Sequence, residues 1–557
     1  MQPSALAKRV YIVVFLIVIA LYLFGLGHLP LLGPDEPRYA QVAREMLLRG
    51  DPITPTLGGH TWFEKPALLY WLIMAAAKVF GMNEWSARLG PALCGLLTIA
   101  AVWFVGREVE RAQGVAGFGF WAGLVTASCL GLIVFSRATS FDVVVTMTTT
   151  WSLAFFLAQE LSRKKWFLAG FYVFIGFSLL AKGLVGVVVP LGVVGFYYLL
   201  RRRWPERRVF VSVVWGMPLA LAVAATWYGP VIAKHGWTFI DEFFVQHHFA
   251  RYVSNRYKHP QPVYFFPAII LMLTLPWTGF LIDAVARVRS WNWRGDDSQS
   301  IVRVFSLAWL LLPVVFFSFS GSKLPGYVLP ALPAAAMLIA DRLFSPLNWP
   351  FRFTGVICFV LGVGGIVYAA QSGQVTMFCA VVAAVPMIAA GVAAFWLRGG
   401  VAVMAVTAGL FILVVVLLTC AAAPVAHRES VRDLLLLADA RGYANVPVLA
   451  QRSDDRSAQF YAHDRVVYNN EGEVVTVDEV TLERARQLGG KLLALIPVRD
   501  VDYFRKTPGI EVLGDNGRTA ILGWQPQQTL QPQKAQEQTL QPQKAQAISG
   551  SSTKARR

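Results

Sequence analysis

Residues 34–65 read PDEPRYAQVAREMLLRGDPITPTLGGHTWFEK, and this polar stretch decides how the rest of the chain is interpreted. It follows an apolar span at residues 10–28, which begins VYIVVFLIVIALYLF, and it precedes a second apolar run, PALLYWLIMAAAKVFG. Asp35 and Glu36 open the stretch, and Glu64 and Lys65 close it. Ionisable residues held next to membrane segments are a default indication of a functional site.

The composition predicts a polytopic α-helical membrane protein. The chain has 557 residues, of which 56% are hydrophobic and only 15% are charged, and its mean hydropathy is +0.51. A soluble protein would carry about a quarter charged residues. Apolar runs of membrane-spanning length recur along the chain and predict about thirteen transmembrane helices. The first span follows Lys8 and Arg9 and is long for a signal peptide, which predicts an uncleaved signal anchor.

The net charge of +17 raises the question of a nucleic-acid partner, but the distribution of the charge argues against one. Basic residues cluster in short loops at 163–165, 201–208 and 287–294, where the positive-inside rule places cytoplasmic loops. The loops at 29–84 and 231–260 then lie on the opposite side. The five cysteines all lie in apolar runs without metal-ligand spacing, so we expect small buried side chains rather than redox or metal sites.

The pattern divides the chain into three parts. Residues 1–423 form the transmembrane domain, and residues 424–524 read as a small α/β domain outside the membrane. In that domain SVRDLLLLADARG and residues 477–490 have helical patterns, and VPVLAQ, RVVYN, KLLALIP, IEVLG and TAILGW have strand patterns. Residues 525–557 are rich in Gln, Pro and Lys, repeat the motif QTLQPQKAQ, and predict a disordered tail.

An amphipathic helix is predicted over residues 37–49, lying in the membrane interface. Apolar residues recur there at helical spacing: Tyr39, Val42, Ala43, Met46 and Leu47. Asp35 and Glu36 stand at the N-terminal entry, where the helix dipole favours a carboxylate. Helix capping alone explains one acid, but not the run Asp-Glu-Pro-Arg. Asp35, Glu36 and Arg38 are therefore the candidate catalytic residues.

Two further pairs of charges stand at the ends of apolar runs. Lys65, next to Glu64, either extends its ammonium to the interface or holds a lipid phosphate. Arg137 and Asp142 bracket the turn between the third and fourth spans, and we expect them to pair with each other. All four residues are candidates for binding phosphate groups.

Lys323 and Tyr327 lie in the Gly/Pro-broken turn SGSKLPGY between two later spans. Irregular backbone at membrane depth is tolerated where it lines a cavity, so both residues are candidate donor-binding groups. The chain contains neither a Walker A motif nor a GxGxxG fingerprint, which argues against an ATP-driven pump or a nucleotide-sugar domain.

The loop at 231–260 is rich in histidine, arginine and aromatic residues and predicts either a mobile interfacial lid that binds phosphates or an ordinary solvated loop. Arg251 is its candidate phosphate ligand. His247 and His248, together with Glu64, form a tentative divalent-metal site, for example for zinc. Structural zinc sites use four ligands, so this set is incomplete.

The segment GPDEPRYAQVAREMLLRG with its continuation to residue 95 resembles the bacterial 4-amino-4-deoxy-L-arabinose lipid A transferases. The resemblance extends more loosely through SRATSFD (136–142), HHF (247–249) and SGSKLPGYVLPALPA (320–334). These enzymes are lipid-dependent membrane glycosyltransferases of the GT-C type, related to the protein O-mannosyltransferases. The family pattern FEKPPL reads FEKPAL here, because Ala67 replaces the second proline.

The resemblance implies transfer of aminoarabinose from undecaprenyl phosphate to a phosphate of lipid A, with inversion. It also implies a multi-pass protein of the bacterial inner membrane with a periplasmic active site. We further expect a monomer that contacts membrane lipids and requires no cofactor. Asp35 matches the catalytic acid of the family. In the family, certain positions lie near the phosphates of the donor or the acceptor. The residues of this chain that match those positions are Glu64, Lys65, Asp142, the His247 region, Lys323 and Tyr327. Two alternatives stay open, namely transfer to another acceptor such as protein Ser/Thr, and a lipid or sugar flippase.

Overall fold

The computed structural model of this chain describes residues 5–114, 116–249, 261–450, 456–469, 472, 474, 475, 477 and 490–525. Up to residue 249 the elements are α1 Ala5–Leu23, α2 Glu36–Arg49, β1 Thr56–Leu57, β2 His60–Thr61, α3 Leu68–Phe80, α4 Glu84–Gln113, α5 Phe118–Ser128, α6 Leu130–Ser136, α7 Phe141–Ser162, α8 Trp166–Lys182, α9 Val185–Arg201, α10 Arg207–Ile240 and a π-helical segment Asp241–Phe249.

The elements after residue 260 complete the membrane part and build the C-terminal domain. The helices α11 Phe265–Leu273, α12 Thr278–Ala286, α13 Ser298–Ser318, α14 Leu332–Arg342, α15 Trp349–Ser372, α16 Met377–Trp396, α17 Gly399–Val416 and α18 Ala422–Arg428 come first. A 3₁₀ segment, Pro325–Ala331, joins α13 to α14. The C-terminal domain contains α19 Arg432–Ala438, β3 Val448–Ala450, α20 Ser457–Tyr461, β4 Leu492–Pro497, α21 Val501–Phe504, β5 Ile510–Asp515 and β6 Thr519–Trp524.

The polytopic α-helical membrane fold is confirmed. Among the described residues, 7 helices are long and apolar enough to cross a membrane, and the bent pair α5–α6 is a further candidate. Other apolar helices, including α1, α8 and α9, are shorter. The count of thirteen spans therefore stays a prediction.

Burial distinguishes central helices from peripheral ones. The most apolar windows of α7 and α13 are 78% and 72% buried within the protein, whereas those of α10 and α15 are only 28% buried. A helix that is apolar on all sides must face either protein or lipid. We infer that α7 and α13 form the centre of the bundle and that α10 and α15 face lipid along most of their length.

The C-terminal domain contains a four-stranded mixed sheet in the order β3-β4-β6-β5. β3 pairs with β4 in parallel, and the other neighbours pair antiparallel. Four of the predicted strands form this sheet, whereas RVVYN makes only isolated bridges at Val466 and Tyr468. Helix α18 continues across the predicted domain boundary at residue 423. Most of the predicted helix at 477–490 and almost all of the predicted tail lie outside the described residues.

The predicted amphipathic helix is present as α2, and it is buried on its polar side as well as on its apolar side. Its apolar side packs on the membrane bundle, and its polar residues Gln41, Arg44 and Glu45 are also buried. Ala40 of α2 shares one apolar core with Leu435 and Phe460 of the C-terminal domain. The polar face is covered by that domain, which the sequence pattern of the helix could not indicate.

Two other predictions are wrong. The first part of the predicted loop 231–260 is helical, because α10 continues to Ile240 with a kink at Gly236 and the π-helical segment follows. Residues 250–260 lie outside the described residues. The expectation that all five cysteines are separate buried side chains fails for Cys379 and Cys420, which form a disulfide. Position along the chain could not indicate that the start of α16 lies beside the segment that follows α17.

Candidate active site

The two ends of helix α2 are set by residues with special backbone properties, and its N-terminal end carries the charged residues Asp35, Glu36 and Arg38. Pro37 lies in its first turn, where a missing N–H costs no hydrogen bond, and Gly50 ends the helix with a left-handed φ of 63°. Asp35 occupies the N-cap position, yet its side chain makes no capping hydrogen bond. The carboxylate is directed elsewhere, so capping does not account for this acid.

Four charged side chains meet at this point, and we call them the acid–base cluster: Asp35, Arg38, Glu64 and Lys65. Arg38 Nη2 lies 2.5 Å from Asp35 Oδ1, and Arg38 Nη1 lies 3.4 Å from Glu64 Oε2. Lys65 Nζ lies 3.1 Å from Glu64 Oε1. The structure thus brings both ends of the opening polar stretch together, with Arg38 bridging two carboxylates.

The members of the acid–base cluster differ in exposure. The side chains of Arg38, Glu64 and Lys65 are 9%, 10% and 16% exposed, whereas that of Asp35 is 51% exposed. Burial alone would lower the pKa of Arg38, but the charges of Glu64 and Asp35 raise it above its ordinary value. The guanidinium is therefore a permanent cation, and Asp35 is the carboxylate most accessible to a substrate.

Unsatisfied hydrogen-bond donors surround the cluster. Arg38 Nε, Trp62 Nε1 and the Tyr70 hydroxyl are buried and have no hydrogen-bond partner within the described residues. Arg38 lies 5.4 Å from the Trp62 ring. Buried polar groups are nearly always hydrogen-bonded in proteins, so a group of unpaired donors indicates a place where a ligand supplies the acceptors.

Glu36, predicted to be catalytic, has a different environment from its neighbour Asp35. It is 7% exposed, and its carboxylate accepts hydrogen bonds from Arg88 and from the backbone N–H groups of Leu32 and Thr139. Burial alone would raise the pKa of Glu36, but the Arg88 guanidinium and these N–H donors hold it below its ordinary value. With its oxygens occupied, Glu36 ties α2 to α4 and to the turn before α7, and its placement favours a structural role.

The expected pair between Arg137 and Asp142 is absent. Asp142 instead pairs with Lys182 at the end of α8, and the Lys182 ammonium lies 4.6 Å from the centre of the Tyr327 ring. A Cβ atom on Gly326 would lie 1.9 Å from Asp142 Oδ2, so only glycine permits this close approach. The structure therefore brings the predicted residues Asp142 and Tyr327 together through a lysine that was not predicted.

The remaining predicted residues bind backbone carbonyl groups. Arg137 donates hydrogen bonds to the carbonyls of Leu21 and Phe24 at the end of α1, which explains why it does not pair with Asp142. Lys323 Nζ donates to the carbonyl of Gln261 at 2.9 Å. Both cations are thus partly satisfied by the protein, and a role in phosphate binding stays a prediction for each.

The predicted metal site falls largely outside what the structure describes. His247 and His248 belong to the π-helical segment, but their side chains lie outside the described residues, as does the whole of Arg251. Glu64 contacts Arg38 and Lys65. Within the described ranges, no three His, Cys, Asp or Glu side chains are grouped to hold an ion. The metal stays a prediction.

Three basic residues near these groups were not predicted, namely Arg88, Lys182 and Arg456. Arg88 and Lys182 had a sequence signal, because each is a charge beside or inside a long apolar run. Arg456 had none, since it lies about four hundred residues from α2 in a polar segment of another domain. Only the folded chain lets the charges of Arg38, Glu64 and Asp35 act on the pKa of Arg456, which burial lowers first.

The fold is that of the GT-C membrane glycosyltransferases, as the sequence resemblance implied. ArnT from Cupriavidus metallidurans, in a crystal structure with bound undecaprenyl phosphate, matches with a TM-score of 0.75 at 22% identity over 93% of this chain and 98% of that one. The archaeal oligosaccharyltransferase AglB from Archaeoglobus fulgidus matches with a TM-score of 0.51 at 13% identity, over 90% of this chain and 70% of that one.

Sequence comparison confirms the resemblance to the aminoarabinose transferases. The chain is 31% identical over 364 residues to the undecaprenyl phosphate-alpha-4-amino-4-deoxy-L-arabinose arabinosyl transferase of Aeromonas salmonicida, covering 61% of this chain and 63% of that protein. It is 29% identical to the second such enzyme of Pseudomonas fluorescens, covering 62% and 63%. These alignments span just under two thirds of the relatives' length. The family model of the dolichyl-phosphate-mannose-protein mannosyltransferases matches residues 64–228.

Proposed function

We propose that this protein transfers 4-amino-4-deoxy-L-arabinose from undecaprenyl phosphate to a phosphate of lipid A. The reaction takes place at the periplasmic face of the bacterial inner membrane and inverts the anomeric configuration. The observation that carries the proposal is the acid–base cluster, in which the half-exposed carboxylate of Asp35 pairs with Arg38, and Arg38 and Lys65 both contact Glu64. The names of the relatives support this choice of donor and sugar.

The chemistry is one displacement at the anomeric carbon. An oxygen of the acceptor phosphate forms a bond to that carbon, and the bond from the carbon to the undecaprenyl phosphate oxygen breaks. The electron pair of the broken bond leaves on undecaprenyl phosphate, so no net proton transfer is needed. Attack from the side opposite the leaving group gives inversion.

Lys65 acts on the leaving group in this scheme. A cation beside the departing phosphate stabilises the negative charge that develops in the transition state. Lys65 already faces Glu64 and is mostly buried, so its ammonium is held in place before the donor binds. Pre-organised charge of this kind costs no reorganisation during the reaction.

Asp35 has a different task from the general base of an enzyme that glycosylates hydroxyl groups. A phosphate acceptor is already anionic and requires little deprotonation. The carboxylate instead orients the ammonium group of the amino sugar or stabilises positive charge that develops on the sugar ring. Its exposure and its salt bridge with Arg38 support either role, since both need an ionised group that a substrate can reach.

The disulfide supports the orientation in the membrane. Cys379 lies at the start of α16, and Cys420 lies just before α18, which leads into the C-terminal domain. That domain packs on α2, so the disulfide and the acid–base cluster lie at the same side of the bundle. Disulfides form in oxidising compartments such as the bacterial periplasm. The basic loops at 163–165 and 201–208 belong to the opposite, cytoplasmic side.

A second candidate is transfer of a sugar to a protein hydroxyl group, which the match to the mannosyltransferase family model over residues 64–228 favours. With a Ser or Thr acceptor, Asp35 would be the general base. Purified protein incubated with donor and either lipid A or a Ser/Thr peptide separates the two functions, because only one acceptor should gain the sugar. A flippase would transfer sugar to neither.

The test of the proposal is mass spectrometry of lipid A from bacteria that lack their own transferase and express this protein. We expect lipid A to gain aminoarabinose with the wild-type protein and not with Asp35→Asn or Asp35→Ala. Asp502→Asn is the matched control, since its side chain is 93% exposed in the C-terminal domain. Unmodified lipid A with the wild-type protein, or full activity in Asp35→Asn, would refute the assignment.

A further inference from the structure

The hairpin formed by β1 and β2 leads directly into the segment that carries half of the acid–base cluster. Its two strands pair antiparallel, and the Trp62 N–H closes its base by donating to the Pro55 carbonyl at 2.9 Å. The Trp62 ring lies 5.4 Å from the Arg38 guanidinium, and Glu64 and Lys65 follow along the chain. The position of the hairpin therefore restricts where Glu64 and Lys65 meet Arg38.

A single buried carboxylate of α2 holds the turn of this hairpin. Glu45 is 9% exposed and accepts a hydrogen bond from the Thr56 hydroxyl at 2.6 Å. It also accepts from the backbone N–H groups of Gly58 and Gly59, at 2.7 and 3.2 Å. Hydrogen bonds to a carboxylate are shorter and stronger than those between neutral groups. Glu45 thus fixes both the first strand and the turn relative to α2.

Packing restrains the turn on only part of its surface. Gly58 has a left-handed φ of 62°, and a Cβ atom there would lie 2.5 Å from the Tyr468 ring of the C-terminal domain. Gly58 and Gly59 also line a cavity of about 390 Å³, together with Glu45 and Tyr468. Because this space leaves the turn without close packing on that side, the hydrogen bonds to Glu45 supply the restraint there.

The C-terminal domain in turn orients Glu45. The Gln41 amide nitrogen donates to Glu45 at 3.1 Å and to Asp464 of that domain at 2.7 Å. The Gln41 amide oxygen accepts from Arg44, whose guanidinium donates to the Phe460 carbonyl at 2.6 Å. A continuous hydrogen-bonded network therefore runs from the C-terminal domain through Gln41 to Glu45 and the hairpin.

We propose that Glu45 is a positioning residue for the acid–base cluster and that it acts through the hairpin on Lys65. The inference rests on the proposed function, in which Lys65 binds the phosphate of the donor. Glu45 lies about 15 Å from Asp35 along α2, so it acts at a distance from the reacting sugar. A displacement of about 1 Å at a reacting group can cost a hundredfold in rate, so a residue that fixes the loop bearing Lys65 has a measurable effect.

The test is a double-mutant cycle on the binding of undecaprenyl phosphate, measured without turnover and below the unfolding temperature of every variant. The two changes are Glu45→Gln, which puts an amide nitrogen in place of one acceptor oxygen, and Lys65→Ala. Gly58→Ala disturbs the same turn by a different route, because its Cβ atom would meet the Tyr468 ring. It carries the same test if Glu45→Gln does not fold.

Glu110→Gln is the matched control for lost stability. Glu110 is 6% exposed and accepts hydrogen bonds from the backbone N–H groups of Gly117 and Gly119, at 3.0 and 2.8 Å, as Glu45 does from two glycines. It lies near the C-terminal end of α4, about 40 Å along that helix from Glu84, which contacts the C-terminal domain. Glu110→Gln should lower the thermal midpoint, as Glu45→Gln does, without weakening donor binding.

We expect Glu45→Gln and Gly58→Ala each to weaken undecaprenyl phosphate binding about three- to thirtyfold, and to have little further effect in the Lys65→Ala background. Wild-type binding in Glu45→Gln, or an equal loss with and without Lys65→Ala, would overturn the inference and leave Glu45 a purely structural residue. A loss in Glu110→Gln as large as that in Glu45→Gln would do the same. A wild-type protein that binds no undecaprenyl phosphate would instead refute the proposed function.

Discussion

Replacing Glu36 by glutamine separates a structural acid from a catalytic one at the same helix end. The Glu36 carboxylate accepts four hydrogen bonds. Two come from Arg88, at 2.9 and 2.7 Å, and two from the backbone N–H groups of Leu32 and Thr139, at 2.8 and 2.7 Å. Each oxygen thus faces two donors. The amide nitrogen of glutamine would point its own hydrogens at one such pair, whichever way the side chain turns.

The magnitude follows from the charge that is left behind. Arg88 is 5% exposed, so in Glu36→Gln its guanidinium keeps its charge in a buried place without a carboxylate partner. Breaking a buried ion pair on one side costs about 3–5 kcal/mol. Asp35→Asn, by contrast, changes a side chain that is 51% exposed and should alter stability by about 0.5 kcal/mol or less.

The assay compares thermal unfolding midpoints in detergent with transfer activity measured at a temperature where all variants are folded. We expect Glu36→Gln to lower the midpoint clearly and Asp35→Asn to abolish turnover at a wild-type midpoint. The folded-state pKa of Glu36 lies below its ordinary value of 4.5, so its contribution is present above pH 4.5 and is lost as pH falls through the lowered pKa. Glu36→Gln should remove this acid-dependent loss. A wild-type midpoint with lost turnover in Glu36→Gln would refute the reasoning and make Glu36 catalytic.

Three further outcomes are expected. Lys65→Ala should weaken undecaprenyl phosphate binding by about 1.5–3 kcal/mol, because a charge-assisted contact to phosphate is lost. An unchanged affinity would indicate that the Lys65 ammonium only extends to the membrane interface. In a double-mutant cycle, Lys182→Met and Asp142→Asn should each lower stability, with a coupling of about 0.5–3 kcal/mol; strict additivity would mean that they do not interact. A reducing agent should lower the thermal midpoint of the wild type but not that of Cys379→Ala, since removing a disulfide costs about 2–4 kcal/mol. Equal shifts of the midpoint in the two proteins would contradict the bond between Cys379 and Cys420.

The local sequence predicted the helical membrane architecture and the position of the candidate site. Long apolar runs have only one stable form in a bilayer, the helix, because every backbone polar group must be satisfied internally. The spacing of apolar residues after Asp35 predicted α2 over residues 37–49, within a residue of its observed ends. The four residues of the acid–base cluster were all singled out, since charges at the ends of apolar runs are costly unless they serve a purpose.

Partnerships between distant residues depended on the tertiary structure. Sequence suggested that Arg137 pairs with Asp142, five positions away, but Arg137 satisfies the carbonyls at the end of α1, and Lys182 supplies the cation for Asp142. Neighbouring acids Asp35 and Glu36 looked alike in sequence, yet one is half exposed and the other is buried against Arg88. Exposure is a property of the packed protein and not of the local pattern.

The sequence by itself thus determined that the chain is a polytopic α-helical membrane protein and that the polar stretch 34–65 gathers charge beside apolar helices, because hydrophobic patterning acts over a few turns of one helix. Only the tertiary structure decided that the C-terminal domain covers the polar face of α2. Docking of that kind depends on complementary surfaces formed by residues hundreds of positions apart, such as Arg44 with Phe460. Short-range patterns contain no information about which such surfaces meet.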